Sequence, residues 1–447
     1  MQSARSTMLK RINVLSIVLV VFCSLSQAQN INSPYSRYGI GDIVPGQNIL
    51  NRGMGGISTA YYDYLSLNFL NPASYGRLQT VTLDFGFEIY DLTLRSQNPS
   101  RKYSDASPLI SYFNLGLPII KSKKKKETVM GVVFGLRPMS RVSYKILRTE
   151  RLMTGTINDS VATLFEGIGG SQQVYIGTGL RLGNFSIGIN AGYLFGSKDF
   201  STRRIFLNDT VAYYKSNHQT KANYNGFHSN VGLQYTAKLG KTTVLRLGAQ
   251  GRWEQVLHGE QDVIRESFEY DANQAALRLD SVYQVNNQKG DVNLPVSYSV
   301  GFILDNSGAM GNPSRWLIGV DYGATKWSKY KFFNEKDPVQ DSWEVKLGGQ
   351  MIPVSSKNYW SNVAYRAGAT YGVDYVNVDN VLNKWSVSFG AGLPMRKVNY
   401  SNQTTIINTS FEFGKRGNSS NVVQESFFRF SLGLSMSDIW FIKRKYD

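Results

Sequence analysis

The sequence has 447 residues, a formal net charge of +17 and 42 glycines, and 13% of its residues are aromatic. Its mean hydropathy of -0.26 excludes a bundle of membrane-spanning helices, but it is compatible with a transmembrane β-barrel that has one polar face and aromatic girdles. A basic chain can bind nucleic acid, but no recognition motif accompanies the charge, so we predict no nucleic-acid partner.

Residues 1–28 have the three parts of a secretory signal peptide. The charged start, the apolar run and the small residues before the cleavage site are Arg5, Lys10 and Arg11, then Val14–Leu25, then Ser26-Gln27-Ala28. The apolar run is shorter than the roughly 20 residues that a membrane-spanning helix needs. Cleavage removes three positive charges, which leaves about +14, and it removes Cys23, the only cysteine. We therefore expect a mature chain without disulfides, thiolate metal sites or a cysteine nucleophile.

The stretch Asn51–Gly76 is irregular and largely apolar. Three of the four residues 53–56 are glycines, which allow positive φ angles and close backbone approach. Pro72 pushes Asn71 out of the helical region. Such a segment must be buried, because exposure would leave its apolar side chains unpacked. The long β-rich region that follows supplies a container, so residues 29–78 are predicted to form a plug, or hatch, inside a barrel. The alternative is a Gly/Pro turn in a soluble β protein.

The order of small residues, an acidic residue and Asn-Pro-Ala resembles the N-terminal hatch of FadL-type outer-membrane transporters of hydrophobic compounds. The matching residues are Gly53, Gly55, Gly56, Asp63, Asn71, Pro72 and Ala73. The resemblance implies a fourteen-stranded barrel in the outer membrane, a hatch that gates its lumen, and uptake of long-chain fatty acids or similar molecules. It also implies sideways exit into the membrane lipid through an irregular strand, for which Gly131 and Gly135 are the candidate kink.

Residues 79–437 follow a pattern of period 2. From Val81 to Tyr90, apolar residues alternate with polar ones such as Asp84 and Glu88, which is typical of a strand with two different faces. Thirteen further strands are predicted at Leu109–Ile119, Val129–Tyr144, Gln173–Leu182, Phe185–Phe195, Ala222–Ala237, Val244–Val256, Val292–Leu304, Trp316–Trp327, Ser342–Met351, Val363–Val373, Lys384–Leu393, Thr405–Phe413 and Phe427–Met436. We therefore predict an all-β protein: a closed antiparallel transmembrane barrel of about fourteen strands with the hatch in its lumen.

The connections between these strands alternate in length. The short ones, predicted to be periplasmic turns, are Gly183-Asn184, Leu239–Thr242 and Lys121–Glu127. The long polar ones, predicted to be loops outside the cell, are Arg148–Ser171, Ser197–Lys221 and His258–Asp291. Such alternation is typical of transmembrane barrels.

Two segments of the sequence are rich in basic residues, one between two predicted strands and one after the last strand. The lysine-rich turn contains Lys121, Lys123, Lys124, Lys125 and Lys126. It is interpreted as a solvated turn beside anionic head groups, and the alternative is a docking site for a periplasmic partner. Residues 438–447 are predicted to form a basic periplasmic tail. Because the chain does not finish on an aromatic residue, the assembly signal is predicted within Phe428–Leu434.

Three of the long loops share an Asp-Ser/Thr-Val sequence. The hydroxyl residues are Ser160, Thr210 and Ser281. One interpretation is an Asx or hydroxyl turn. The other is O-glycosylation, since an acidic residue, a hydroxyl residue and an aliphatic residue resemble an acceptor motif of some periplasmic glycosylation systems.

Catalytic and metal chemistry receive little support. The three histidines are His218, His228 and His258, and their spacing matches no paired metal-ligand motif. No G-x-S-x-G sequence or phosphate-cradling loop is present. We expect no enzyme, no cofactor and no metal.

Two functions remain open. In the first, a hydrophobic ligand enters a pocket between the hatch and the wall, and its carboxylate head binds a cation such as Arg181 or Arg252. Movement near the Asn-Pro-Ala motif then opens the path. In the second, the barrel transports nothing and is a FadL-like subunit of an outer-membrane protein secretion or assembly complex, with its loops and turns holding protein partners.

Overall fold

The computed structural model describes residues 32–97, 100–121, 128–154, 157–207, 213–240, 242–271, 276–306, 315–378, 380–395 and 403–439. The predicted signal peptide, Lys123–Lys126, Thr210 and the tail after Ile439 lie outside these ranges. Among the described residues, no helix is long and apolar enough to cross a membrane.

Eighteen strands in the described ranges form one antiparallel sheet. They are β1 (Asp42–Ile43), β2 (Val81–Gln97), β3 (Ser100–Lys121), β4 (Thr128–Thr154), β5 (Ile157–Leu182), β6 (Phe185–Phe206), β7 (Lys215–Lys238), β8 (Val244–Arg252), β9 (Gln255–Tyr270), β10 (Ala276–Leu294), β11 (Ser297–Asp305), β12 (Arg315–Thr325), β13 (Lys331–Phe332), β14 (Ser342–Ile352), β15 (Ala364–Val373), β16 (Asn383–Pro394), β17 (Thr404–Arg416) and β18 (Val423–Asp438). One helical turn, α1 (Ile49–Arg52), and four 3-10 turns accompany them, at Pro34–Arg37, Pro72–Arg77, Trp327–Lys329 and Tyr359–Asn362.

A closed ring of fourteen strands forms the barrel wall. Its members are β2–β8, β11, β12 and β14–β18. The last strand pairs with the first, from Val423 opposite Ser96 to Asp438 opposite Val81. The predicted fold class and number of strands are therefore confirmed.

The wall has an apolar outer face and a polar inner face. Along β5, Gln173 and Tyr175 are buried on the lumen side, whereas Val174 and Ile176 point outward. Outward apolar side chains of other strands continue this band, among them Ile187, Leu233, Val300, Phe302, Ile318, Leu347, Phe389 and Phe411. Aromatic side chains border the band at both ends, with Tyr322, Tyr371 and Trp385 at one end and Tyr359, Trp360 and Tyr365 at the other. Such a surface matches a lipid bilayer with its two interfaces.

The three long segments predicted to be loops are largely strands, which corrects the sequence analysis. β4 pairs with β5 as far as Thr154 opposite Ile157, and β6 pairs with β7 as far as Arg204 opposite Ser216. The hairpin of β9 and β10 extends the same sheet beside β7. We call the outer parts of β4–β7, together with β9 and β10, the outer sheet. Those outer parts are residues 143–154 of β4, 157–168 of β5, 197–206 of β6 and 215–223 of β7. Polar residues occur on both faces of the strands of the outer sheet, so the alternation that reveals a strand is weak in the sequence.

One side of the wall is consequently much taller than the other. β4 has 27 residues and β15 has 10. At roughly 3.3 Å per residue and a tilt of about 40°, the difference corresponds to about 40 Å of height. Two of the predicted strands are also interrupted where the outer sheet begins, at Trp253-Glu254 between β8 and β9 and at Pro295-Val296 between β10 and β11. Proline lacks the N–H that would continue the ladder.

The outer sheet has two open edges. β3 pairs with β4 only from Lys121 opposite Thr128 to Phe113 opposite Leu136, so the upper part of β4 leaves the ring. At the other side, β10 pairs with β9 and, at Val292 and Asn293 only, with β13.

The N-terminal segment, residues 33–78, threads the barrel from its outer end to its inner end. The amide of Ser33 donates to the Ser143 carbonyl at 2.9 Å, beside the outer sheet. Asp42 and Ile43 of β1 pair with β4 lower down. Arg77 donates to Oγ1 of Thr236 near the turn between β7 and β8, at the end opposite the outer sheet. The long extensions of transmembrane barrels lie outside the cell, so this opposite end is the periplasmic one.

Candidate functional site in the barrel lumen

The hatch glycines serve two different geometric purposes. Gly55 and Gly56 have φ of +65° and +78°, which is the left-handed region that favours glycine. Gly53 has φ of -60° and only extends the helical turn of α1, so the expected positive φ is wrong for this residue. Its small size is needed instead for close approach, because an added Cβ would lie 3.1 Å from the Cα of Gly390 in the wall.

The Asn-Pro-Ala motif ties the hatch to itself and to the wall. Nδ2 of Asn71 donates to the Thr59 carbonyl at 2.6 Å and to the Leu233 carbonyl at 3.2 Å. Oδ1 of Asn71 accepts from the amide of Ala73 at 3.1 Å, and Pro72 begins the 3-10 turn. Asparagine is needed because a single side chain has to donate and accept at once. Movement of this motif as a gate stays a prediction.

Asp63 shapes a turn within the hatch, and its role in a gate stays a prediction. Its carboxylate accepts from the amide of Leu65 at 3.1 Å and from the Tyr61 hydroxyl at 3.2 Å. The first contact is an Asx turn, for which aspartate is a preferred residue.

Glycines of the wall mark where the hatch backbone touches the barrel. At seven of them, an added Cβ would lie under 3.0 Å from a backbone atom of the hatch. The pairs are Gly131 with Tyr75, Gly179 with Pro72, Gly188 with Pro72, Gly248 with Thr59, Gly348 with Met54, Gly368 with Gly55, and Gly390 with Gly53. These glycines belong to β4, β5, β6, β8, β14, β15 and β16, so the contacts are spread around much of the ring.

Buried ion pairs fix the hatch on one side of the lumen. Glu88 of β2 is fully buried and binds Arg52 of the hatch. The same carboxylate lies 3.2 Å from Arg141 and 3.7 Å from Arg429. The carboxylate of Glu88 therefore joins the hatch to β4 and β18 as well as to its own strand, β2.

Further polar contacts fix the hatch on the opposite side. Asp321 of β12 accepts from the amides of Ser58 and Thr59 at 2.6 and 2.8 Å. Arg246 of β8 pairs with Asp305 and donates to the Tyr62 carbonyl at 3.0 Å. A buried charge is tolerated only where such partners satisfy it.

The outer mouth is covered by the start of the hatch and two loops. Arg416 lies 2.7 Å from Asp42, 2.8 Å from Asp374 and 3.2 Å from Glu425. The Tyr375 hydroxyl donates to the Gly41 carbonyl at 2.6 Å, and its ring stacks on Trp327 with 4.5 Å between centroids.

Asp337, a further acid at the mouth, holds the first turn of the hatch. Asp337 accepts from the amide of Gly39 at 3.0 Å. Burial raises the pKa of Asp337, and Lys198 together with the Gly39 N–H acts in the opposite direction. This carboxyl therefore takes up a proton at a higher pH than an exposed aspartate does.

A cavity of about 400 Å³ lies between the mouth and the hatch. Apolar side chains at its rim include Val44, Leu70 and Met139. Polar and charged side chains supply about half of its lining surface, and the charged or ionisable ones include Arg52, Arg137, His228, Arg252, Glu344, Lys346, Lys384, Glu412, Arg416, Glu425 and Arg429.

Of the two arginines predicted to face inward, one lines this cavity. Arg252 is a wall residue of the cavity. Arg181 lies beside Gly76 near the periplasmic turn, where it donates to the Gly183 carbonyl at 3.1 Å. Only Arg252 is placed to meet a molecule in the cavity.

The candidate lateral opening is paired on both sides. Gly131 lies opposite Pro118 of β3 and Gly179 of β5, and Gly135 lies opposite Asn114 and Tyr175. The register shifts between β3 and β4 lie between Pro118 and Lys121, so the first of them adjoins the pair of Pro118 with Gly131. Opening at Gly131 and Gly135 stays a prediction.

The glycosylation candidates within the described ranges lie in strands. Ser160 belongs to β5 and is half-buried, whereas Ser281 belongs to β10 and is exposed. Glycosylation at either residue stays a prediction. His218, His228 and His258 lie in β7 and β9. Over the described ranges, no group of three His, Cys, Asp or Glu side chains is arranged to hold a metal ion.

Sequence reasoning missed how the inward charges meet. The alternation placed Glu88 on the polar face, but the partner Arg52 could not be named from it. The Arg416 cluster was missed as well, because its three acids come from the hatch, a loop and β18. The available signal is chemical: a charge on the lumen face of a lipid-bound wall needs a counter-charge.

Comparisons with known proteins agree with this architecture. The chain is similar in structure to the monoaromatic hydrocarbon channel CymD, with 15% identity, a TM-score of 0.51 and coverage of 90% of this chain and 99% of that one. It is similar to the P. putida toluene transporter TodX, with 15% identity, a TM-score of 0.54 and coverage of 90% and 100%. A Pseudomonas aeruginosa FadL homologue gives 12% identity, a TM-score of 0.51 and coverage of 90% and 100%.

These similarities confirm the FadL-type outer-membrane barrel expected from the hatch motif, and at such identities they concern the fold alone. No curated protein matches the sequence. The BamG family model matches residues 8–447, which is nearly the whole chain. The chain therefore belongs to the BamG family.

Proposed function

We propose that the protein is a non-transporting barrel that serves as a subunit of an outer-membrane protein secretion or assembly complex. The observation that carries this proposal is the fixed position of the hatch, which touches the wall at glycines of seven strands and is held by buried charges on opposite sides. Displacing it would break the Glu88 cluster, and loss of one partner of a buried pair costs about 3–5 kcal/mol.

The outer sheet supplies the surface for a protein partner. It stands above the rest of the wall on one side and has an open edge along most of β10. Large apolar side chains are exposed on it, including Leu147, Ile168, Tyr214 near its tip, and Val282. An exposed strand edge can pair with another chain, and exposed apolar side chains add contact area.

A second candidate is uptake of long-chain fatty acids or other hydrophobic small molecules through the lumen. The cavity of about 400 Å³ behind the hatch favours it. So does the shared fold with hydrocarbon channels. This candidate requires the hatch to move, because its backbone lies directly against the wall.

Locking the hatch separates the two candidates. Oγ1 of Thr59 in the hatch lies 2.7 Å from Oγ of Ser299 in the wall, so the double variant Thr59→Cys/Ser299→Cys is expected to form a disulfide. The matched control is Thr93→Cys/Ser104→Cys, whose hydroxyls lie 2.7 Å apart and join the wall strands β2 and β3. Cys23, the only native cysteine, lies in the predicted signal peptide.

The experiment measures two quantities for the oxidised and reduced forms of both variants. The first is the set of proteins that co-purify from gently solubilised outer membranes. The second is uptake of a labelled fatty acid or toluene into cells that carry the variant. We expect stoichiometric protein partners with or without the lock, and no uptake that depends on the hatch. Uptake that the hatch lock abolishes and reduction restores, with the control unaffected, would overturn the proposal.

A further inference from the structure

A second cavity, of about 630 Å³, lies at the outer end of β2, β3 and β18. Its lining contains the cations Arg95, Arg101 and Lys102, and otherwise only serine and amide side chains, among them Asn421 and Gln424. No acid lines it. A group of cations without acids raises the local concentration of anions. The cavity therefore attracts a negatively charged group.

The strand ladder brings the cations of this cavity together. Arg95 of β2 lies directly opposite Lys102 of β3, and the next residue, Ser96, lies opposite Arg101. On the other side of β2, Gln424 of β18 lies opposite Arg95. Like charges directly opposite each other on two strands are destabilising. A neutral polar residue at either position would avoid this repulsion, so solubility alone does not explain the pair.

The exposed cations of the outer sheet are arranged differently. Six of them pair with a carboxylate on the same strand or on a neighbouring one, namely Lys145, Arg148, Arg203, Lys215, Lys221 and Arg278. Within the part of the chain that the structure describes, no carboxylate forms an ion pair with Arg95, Arg101 or Lys102. Asp91, on the same face of β2 as Arg95, does not line the cavity and accepts from Oγ of Ser104 at 3.3 Å. The three cations are therefore available to a ligand.

The cavity stands directly above the lipid-facing surface of the same strands. Arg95 is on the same face of β2 as Ile89, which points outward and is 41% exposed. Outward aromatic pairs of β17 and β18 lie nearer the periplasm, with 5.0 Å between the ring centroids of Phe411 and Phe430 and 4.8 Å between those of Phe413 and Phe428. Aromatic residues mark the boundary between the hydrocarbon and the head groups. The cations beyond this boundary are therefore at the level of the lipid head groups on the cell-surface side.

We propose that Arg95, Arg101 and Lys102 bind a phosphate group in the head group of a glycolipid of the outer leaflet. The phosphate accepts hydrogen bonds from guanidinium and ammonium groups at once, which offsets the repulsion between Arg95 and Lys102. The amides of Asn421 and Gln424 supply donors and acceptors for the sugar. The acyl chains of the same lipid lie along Ile89 and the outward aromatic rings below.

A lipid fits this cavity better than a dissolved anion does. The three cations are exposed, so salt in the surrounding water screens their attraction for a free anion. A lipid is already confined to the membrane beside the cavity, which raises its effective concentration there, and its acyl chains add contact area. This inference does not depend on the proposed function, because lipid surrounds the barrel whether or not it transports anything.

The test uses the full-length barrel in a non-ionic detergent and measures binding by native mass spectrometry. The probes are diphosphoryl lipid A, the same lipid after enzymatic removal of its phosphates, and inorganic phosphate. We expect lipid A to bind and its dephosphorylated form to bind at least about tenfold more weakly, because charge-assisted contacts are lost. Inorganic phosphate at the same concentration should not displace lipid A.

A double variant and a matched control identify the residues. Arg95→Gln/Lys102→Gln should weaken the binding of lipid A by about tenfold or more. This variant is expected to fold, because both side chains are exposed and the like-charge repulsion is removed, so its unfolding temperature without lipid should not fall. Lys145→Gln/Arg148→Gln removes two exposed cations from the outer sheet and should bind lipid A as the wild type does.

Three results would contradict the lipid site. Equal binding of lipid A with and without its phosphates would show that acyl chains alone hold the lipid. Displacement of lipid A by an equal concentration of inorganic phosphate would assign the cavity to a dissolved anion. Unchanged binding of lipid A by Arg95→Gln/Lys102→Gln would exclude these cations as the site. If that variant instead lost a protein that co-purifies with the wild type, the cations would belong to a contact with that protein.

Discussion

The carbonyl group of Thr59 lies directly against Gly248, so close that a methyl group on Gly248 would lie under 3.0 Å from the carbonyl oxygen. Thr59 also donates its amide to Asp321 at 2.8 Å, so its carbonyl cannot turn away without breaking a buried contact. At this level the hatch backbone therefore lies directly against the backbone of β8, because Gly248 has no side chain to separate them.

Gly248→Ala is expected to destabilise the folded barrel by about 1–3 kcal/mol, because the added methyl overpacks a fixed contact. The temperature at which the protein changes from folded to unfolded mobility on a gel measures this. The control on the same strand is Gly251→Ala, whose added Cβ would have its nearest neighbour 3.5 Å away. Equal transition temperatures for the two variants would contradict the prediction.

Glu88→Gln is expected to destabilise the protein by about 3–5 kcal/mol, since it leaves three buried arginines without their shared carboxylate. Denaturant unfolding in detergent provides the measurement. The comparison is Glu150→Gln, which removes a pair with Arg148 whose side chains are 30% and 69% exposed. That loss should cost less than about 1 kcal/mol. A small effect at Glu88 would show that the cluster does not hold the hatch.

Tyr375→Phe is expected to loosen the covering of the outer mouth. The substitution keeps the stack on Trp327 and removes the hydroxyl that donates to the Gly41 carbonyl, at a cost of about 1 kcal/mol. Hydrogen exchange of residues 33–44 should become faster, while the rest of the hatch is unchanged. Tyr371→Phe, on the outward face of β15, is the control. Unchanged exchange in both variants would count against a closing role for Tyr375.

Replacing residues 261–288 of the β9–β10 hairpin by an Asn-Gly turn should leave the barrel folded. β8 pairs with β11 below the hairpin, from Arg252 opposite Ser297 to Val244 opposite Asp305, so the ring stays closed. Protein partners that bind the outer sheet should no longer co-purify. A shortened protein that keeps every partner would place the partner surface elsewhere, and one that fails to fold would show that the ring depends on the hairpin.

Much of the fold could be predicted because each strand in lipid has to place apolar residues outward and polar residues toward the lumen. Asp84 and Glu88 alternate with apolar residues, and the structure places both in the lumen, 1% and 0% exposed. The rule does not apply to the outer sheet, where polar residues occur on both faces of the strands. The cavity could not be predicted either, because it depends on which distant residues meet. Nothing in the sequence near Arg137 indicates that Gln173 and His228 connect it to Arg252.

The path of the hatch also constrains the order of assembly. Its first described residues, Asn32 and Ser33, bond to β4 on the cell-surface side, and its last ones reach the periplasmic side. A closed barrel has no unpaired strand edge through which the hatch could enter from the side, so β2 and β18 must pair around a hatch that is already in place. An antibody epitope inserted ahead of Asn32 would accordingly be displayed to the surroundings of the intact cell.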